Sequence, residues 1–167
     1  MTGIYKHPVD KGIVLRRGGV EEDNVIDRRY HGGEAKAVYM YSADHYDYWK
    51  RLYPELDWDW GMFGENLTIE GLDEARLFSG SRYRIGEQVI VELTTPREPC
   101  YKLGHRFGSS KLIRQFMEKP YPGVYASVIE EGCVRSGDRV VEISRPTGGK
   151  SIARQYLDKM EAKTKKH

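Results

Sequence analysis

What the chain has little of narrows its possibilities before any motif is read. Its 167 residues include only two cysteines, Cys100 and Cys133. Two thiols make no disulfide framework and fill neither an iron–sulfur cluster nor a closed zinc site, so any sulfur chemistry must rest on a single thiol. Both cysteines are expected to be free in a reducing compartment. No run of about 18 apolar residues occurs, so no segment reads as a membrane-spanning helix. The opening MTGIYKHPVDKGIV lacks the apolar stretch of a secretory leader, which makes the cytoplasm the expected location. Charge bias is also missing. With 27 basic and 25 acidic residues and a net charge of +2, no overall field calls for a nucleic-acid partner. No flavin, haem or Gly-rich nicotinamide-binding motif is present, so redox chemistry would need electrons from a separate protein.

What is there reads as one folded unit. Hydrophobic residues make up 39% and charged residues 31% of the chain, and the length suits a single core. Glycines punctuate short runs that alternate apolar and polar residues, the rhythm of strands and turns. Gln88 to Thr94 is the clearest strand, with Val89, Val91 and Leu93 on one side. Lys36–Tyr41, Tyr125–Ile129 and Arg139–Ile143 are similar. Gly18-Gly19 is expected to turn Gly12–Arg17 back on Val20–Ile26. Helices are expected from Ser42, a capping residue, to Leu52 before Pro54, over Ser110–Glu118, and over Ser151–Lys163. The expected fold is mainly β with a few helices, a closed or nearly closed barrel with helices outside it. The expected division is a barrel unit over residues 1–146, then a C-terminal helix and basic tail over 147–167.

Three clusters carry polar chemistry. Asp27-Arg28-Arg29-Tyr30-His31-Gly32-Gly33 sets guanidinium forks and a histidine before a glycine pair, which suits either an anion-holding loop or an ordinary polar hairpin. Gly61-Met62-Phe63-Gly64-Glu65-Asn66-Leu67-Thr68 runs from loop to strand, and Glu65, Asn66 and Thr68 there suit either a heteroaromatic edge or their own backbone. Pro96-Arg97-Glu98-Pro99-Cys100-Tyr101-Lys102-Leu103 follows the best strand. Two prolines stiffen the segment, and Arg97 and Lys102 put positive charge near the sulfur, which favours the nucleophilic and metal-binding thiolate. The alternative is a small buried hydrophobe. Cys133, in EEGCVRSGD, has no comparable setting and reads as structural. Trp58 and Trp60 suit either a pocket entrance or packing.

Taken in order, GIYKHPV, DRRYHGG with KAVYMY, GMFGENLT, RYRIGEQVIVEL, PREPCYKL, GVYASVIEEG and SGDRVVEI resemble the MOSC family, named for the C-terminal domain of molybdenum-cofactor sulfurases, and within it the YiiM-like branch. The resemblance implies a MOSC-type β-barrel whose pocket holds the pterin form of the molybdenum cofactor (molybdopterin). Cys100 becomes the catalytic or sulfur-bearing thiolate and the metal ligand. The cofactor-binding residues implied are Arg28, Arg29, His31, Gly32, Gly33, Glu65, Asn66, Thr68, Arg97 and Lys102. Two activities follow from the resemblance. One is reduction of small N-hydroxylated compounds with electrons from a separate electron-transfer protein, which is the favoured expectation. The other is a non-catalytic carrier role, accepting persulfide sulfur from a pyridoxal-phosphate cysteine desulfurase. Longer members of the branch extend into a three-helix C-terminal module, of which RPTGGKSIARQYLDKM supplies one helix.

Overall fold

Alternation of side chains across a strand decides which residues meet, and two kinds of alternation build this sheet. The computed structural model describes residues 11–21 and 33–166. Nine strands are assigned among them: β1 (Ile13–Arg16), β2 (Gly19–Val20), β3 (Val38–Ser42), β4 (Leu67–Ile69), β5 (Arg82–Ile85), β6 (Val89–Pro96), β7 (Val124–Glu130), β8 (Gly132–Val134) and β9 (Val140–Ser144). The helices are α1 (Tyr46–Leu52), α2 (Tyr101–Phe107), α3 (Lys111–Glu118) and α4 (Ile152–Thr164).

Six strands form one mixed sheet in the order β4-β3-β7-β6-β5-β9, and β2-β1-β8 form a smaller one. Among the described residues only the β3–β4 pair is parallel. The sheet curls into a half-barrel flanked by the four helices, the mainly β, barrel-like fold expected. In β6, Val89, Val91 and Leu93 are buried against an aliphatic core shared with Val38, Met40, Val124, Ala126 and Val128. The alternate residues of the central strands, Tyr39, Tyr41 and Tyr125, face a second, aromatic core with Trp49, Phe63, Phe107 and Phe116. Strand β3 is therefore buried on both faces, which is why KAVYMYS reads as one continuous apolar run rather than an alternation.

The expected helices are present, but Ser42 caps a 3-10 turn (Ala43–His45) that leads into α1 rather than α1 itself. Ser42 Oγ accepts from Asp44 N at 3.2 Å, and Ser151 Oγ from Arg154 N at 3.1 Å. In α3, Leu112 and Phe116 are buried, with Ile113 and Met117 partly buried beside them. Ile152, Ala153, Tyr156 and Met160 of α4 are buried, so this helix packs on the same core as the sheet. Helix α2 was not expected: Cys100 ends the loop that follows β6 and is the N-cap of this helix. That helix is only seven residues long and carries Gly104, a poor helix former. Its Leu103 and Phe107, four residues apart, are buried, and Gly108 ends it in the left-handed conformation (φ 63°). No helix among the described residues is long and apolar enough to cross a membrane.

Candidate functional site

Register brings the site together. Met40 of β3 and Pro96 of β6 both stand opposite Val124 of β7, so the C-terminal ends of β3 and β6 converge where β7 begins. Strand ends at one rim of a sheet are where binding groups usually collect. Arg97 follows β6 at this rim, and Cys100 opens α2 three residues later with an extended backbone (φ −128°, ψ 162°). The Cys100 side chain is half-buried and in no disulfide.

Arg97 is 4% exposed. Its Nη1 donates to the Phe63 carbonyl at 2.5 Å, and its guanidinium carbon lies 4.9 Å from the Tyr39 ring centroid. It also lies within hydrogen-bonding reach of the Tyr39 hydroxyl and interacts electrostatically with Tyr125 and Cys100. Its Nε is buried with no hydrogen-bond partner. A buried guanidinium is costly unless its donors are used. Here its partners are a carbonyl and neutral rings. Burial pushes the Tyr39 and Tyr125 phenols up, although the Arg97 charge opposes the shift in each. Both rings stay protonated, and the positive charge at this rim stays uncompensated by them. Such a charge, beside a half-buried thiol, suits an anion or a thiolate.

The structure thus ties PREPC to GENLT through the bond from Arg97 to Phe63. Asn66 in turn joins GENLT to β3: its Oδ1 accepts from Tyr39 N and its own N–H donates to Tyr39 O, each at 2.8 Å. Glu65, 3% exposed, points inward. It accepts from Gly61 N and Phe63 N at 3.0 Å each, from Thr68 Oγ1 at 2.9 Å, and from the Tyr46 hydroxyl. Four donors saturate the carboxylate, so Glu65 and Thr68 shape the loop that carries the Phe63 carbonyl.

The remaining expected site residues are placed differently. Arg28, Arg29, His31 and Gly32 lie outside the described residues. Gly33 adopts a left-handed backbone (φ 92°) before a short turn into β3. Lys102 is half-buried on α2. Trp58 packs against the aromatic core, while Trp60 is 47% exposed and meets Tyr46 edge-on. Cys133 sits exposed on β8, opposite Val14. Sequence reasoning missed Tyr39 and Tyr125, which flank Arg97, and a part-buried contact between His45 Nε2 and Glu74 Oε2 at 2.7 Å. Tyr39 was within reach: KAVYMY alternates rings with aliphatics, which places Tyr39 and Tyr41 on one face.

Two substitutions follow from this placement. Arg97→Met removes a buried charge while keeping length and apolar bulk. Unfolding free energy should change by no more than about 1 kcal/mol, while any binding of an anion at this rim weakens at least tenfold. A melt together with equilibrium binding checks this, and loss of the fold would make Arg97 a structural bridge instead. Cys133→Ser, on an exposed edge strand, should shift stability by no more than about 0.5 kcal/mol and leave cofactor content intact. Loss of cofactor from that variant would mean that the wrong thiol carries the chemistry.

Comparison with known proteins gives a consistent picture. A family model described as the MOSC domain matches residues 27–141. The chain is 36% identical over 159 residues to the uncharacterized protein YflK of Bacillus subtilis, covering 95% of this chain and 70% of that protein. It is 35% identical over 144 residues to protein YiiM of Escherichia coli, covering 85% and 63%. It is also 31% identical over 147 residues to a Gibberella moniliformis protein named "Reductase", covering 87% of this chain and 26% of that one. The chain thus spans under two thirds of the last two proteins. The crystal structure of YiiM from Geobacillus stearothermophilus superposes with a TM-score of 0.82 at 30% identity, covering 97% of this chain and 75% of that one.

Proposed function

The chain belongs to the MOSC domain family, and on that premise we propose that it binds the pterin form of the molybdenum cofactor beside Cys100 and reduces small N-hydroxylated compounds. The observation that carries this reading is the unpartnered, buried Nε of Arg97, three positions along the chain from the half-buried Cys100. A guanidinium donor suits the ligand's phosphate, and a thiolate is a soft ligand suited to its metal. The residues present therefore fit the group. When bound, the cofactor would supply a metal centre able to pass two electrons to an N–O bond.

The protein's own residues do the rest. Cys100 supplies the thiolate, and Arg97 holds the anionic end and keeps positive charge near the sulfur. Glu65, Asn66 and Thr68 fix the GENLT loop against β3, so that the Phe63 carbonyl steadies Arg97. Arg28, Arg29, His31, Gly32, Gly33 and Lys102 complete the binding set in this reading. Electrons would come from a separate electron-transfer protein, and the setting would be the reducing cytoplasm. The relationship to a protein named as a reductase supports this reading.

The test is turnover. Protein loaded with molybdenum cofactor and given a chemical reductant should convert an N-hydroxylated purine or an amidoxime to the corresponding amine or amidine, followed by chromatography. Stoichiometric cofactor with no turnover on any such substrate would overturn the reductase reading in favour of the carrier, which hands on cofactor or persulfide sulfur.

A further inference from the structure

The curled sheet ends on β4 at one edge and on β9 at the other. These edges face each other across a cavity of about 460 Å³, lined by Ile69 of β4, Tyr83 of β5, Val140 of β9 and residues of the segment that follows β4. Small-molecule pockets usually enclose about 300–1,000 Å³. The floor is apolar, since Ile69, Leu72, Leu77, Tyr83 and Val140 belong to the aliphatic core or pack against it. Arg97 contacts the aromatic core instead, so the seam opens from the face of the sheet that the Cys100 rim does not use.

Both walls of the seam carry charge in fixed positions. On one, Arg145 donates from Nε and Nη2 to the two oxygens of Glu142, each at 3.0 Å, and the Tyr83 hydroxyl donates to Glu142 Oε2 at 2.7 Å. Burial, and then the Glu142 carboxylate, push the Tyr83 phenol up, so it remains a donor. The Arg145 guanidinium carbon also lies 5.1 Å from the Phe78 ring centroid. A side chain that is 46% exposed is thus held on two sides, at a cost in rotamer freedom. Its Nη1 makes no hydrogen bond among the described residues.

On the other wall, Arg76 sits on a turn closed by its own N–H to Asp73 O at 2.9 Å and by Ala75 N to Asp73 Oδ1 at 3.0 Å. The start of α4 anchors this turn, with Ala153 N donating to Glu74 O at 2.9 Å and Ile152 N to Leu77 O at 2.7 Å. Glu70, beside it, is exposed and makes no hydrogen bond or ion pair among the described residues. The cavity is therefore lined by two guanidiniums, Arg76 and Arg145, and two carboxylates, Glu70 and Asp73. A ligand of one sign would be attracted by one pair and repelled by the other, whereas a ligand carrying both signs uses both.

We propose that this seam is a second ligand site, which takes a small zwitterion with an apolar body, the chemistry of a free aromatic or aliphatic amino acid. The apolar body lies on Ile69, Leu72 and Val140, the carboxylate is taken by Arg76 and Arg145, and the ammonium by Glu70. The site is separate from the molybdenum–pterin reading and does not depend on it.

The experiment is a titration of the full-length chain with L-phenylalanine, followed by amide ¹H–¹⁵N shifts. Saturable shifts should be confined to Gly71, Leu72, Tyr83, Val140 and their neighbours, with a Kd on the order of 1 mM for a ligand of this size in an open site. Phenethylamine, which lacks the carboxylate, and 3-phenylpropanoate, which lacks the ammonium, should each bind at least about fivefold more weakly. Glu70→Gln and Arg145→Met should each weaken L-phenylalanine by a similar factor. Glu70 has no partner to lose among the described residues, so Glu70→Gln keeps the test decisive if Arg145→Met does not fold. Shifts that do not saturate, or that centre elsewhere, overturn the proposal. So does either single-charge analogue binding as tightly as the zwitterion, or a Glu70→Gln protein that binds L-phenylalanine like wild type.

Discussion

Cys100→Ser should leave a folded protein that no longer retains metal. The sulfur is a soft ligand and, as thiolate, a nucleophile, whereas a serine hydroxyl stays protonated near neutral pH and binds such a metal poorly. The fold should not suffer. Cys100 is the N-cap of α2 with an extended backbone and makes no side-chain cap. Serine is among the preferred residues at that position, so its hydroxyl is well placed to bond an unsatisfied N–H of the first turn. Stability should therefore change by no more than about 1 kcal/mol in either direction. Melting temperature and metal content measured on one preparation separate function from fold. Wild-type turnover in Cys100→Ser protein would remove the thiol from the mechanism. A large loss of stability with function falling in proportion would make the cysteine structural.

Glu65→Ala should have the largest effect on stability. It strands four donors at once: Gly61 N, Phe63 N, the Thr68 hydroxyl and the Tyr46 hydroxyl. Gly61, Phe63 and Tyr46 are themselves buried. Each buried donor left unpaired costs about 1–3 kcal/mol, and relaxation of the loop offsets part of the sum. A net loss of roughly 3–5 kcal/mol is expected, as for removal of one member of a buried charged network. At about 2–4 °C per kcal/mol for a chain of this size, the Tm should fall by roughly 10 °C. Cofactor affinity should fall with it, because the same loop carries the Phe63 carbonyl that steadies Arg97. A Glu65→Ala protein with a wild-type Tm and no cofactor would show instead that the carboxylate touches the ligand directly.

These two residues also mark how far the sequence could be read. Cys100 and Arg97 were legible because their neighbourhood is local: two residues separate them, and a strong strand pattern precedes them. Glu65 was legible as important, yet its neighbours in the chain do not reveal whether it faces a ligand or its own loop. That depends on Tyr46, 19 residues away. Strand β6 was legible because only one of its faces is fully apolar. Strand β3, buried on both faces, gave a run without a period, and Lys36, expected as its first residue, instead ends a 3-10 turn from Glu34. Helix α2 was missed because Gly104 lowers its propensity and seven residues give too short a pattern. The gap at Gly104 has a packing reason, since a Cβ there would sit 3.2 Å from Ser109 O. The contacts of Glu74 with His45 and Gly123 were beyond reach altogether. His45 and Glu74 are 29 residues apart, and Glu74 and Gly123 are 49 apart, so only the folded register brings them together.

The central claim is that this rim holds a molybdenum–pterin group on Cys100. It is tested most directly by metal analysis and pterin fluorescence on wild-type and Cys100→Ser protein purified side by side from a cofactor-producing host. The expected result is molybdenum and pterin in near-equal amounts with the wild-type chain, and metal lost from the variant at an unchanged melting temperature. Wild-type protein that carries neither molybdenum nor pterin, and that binds none when the cofactor is supplied, would contradict the account.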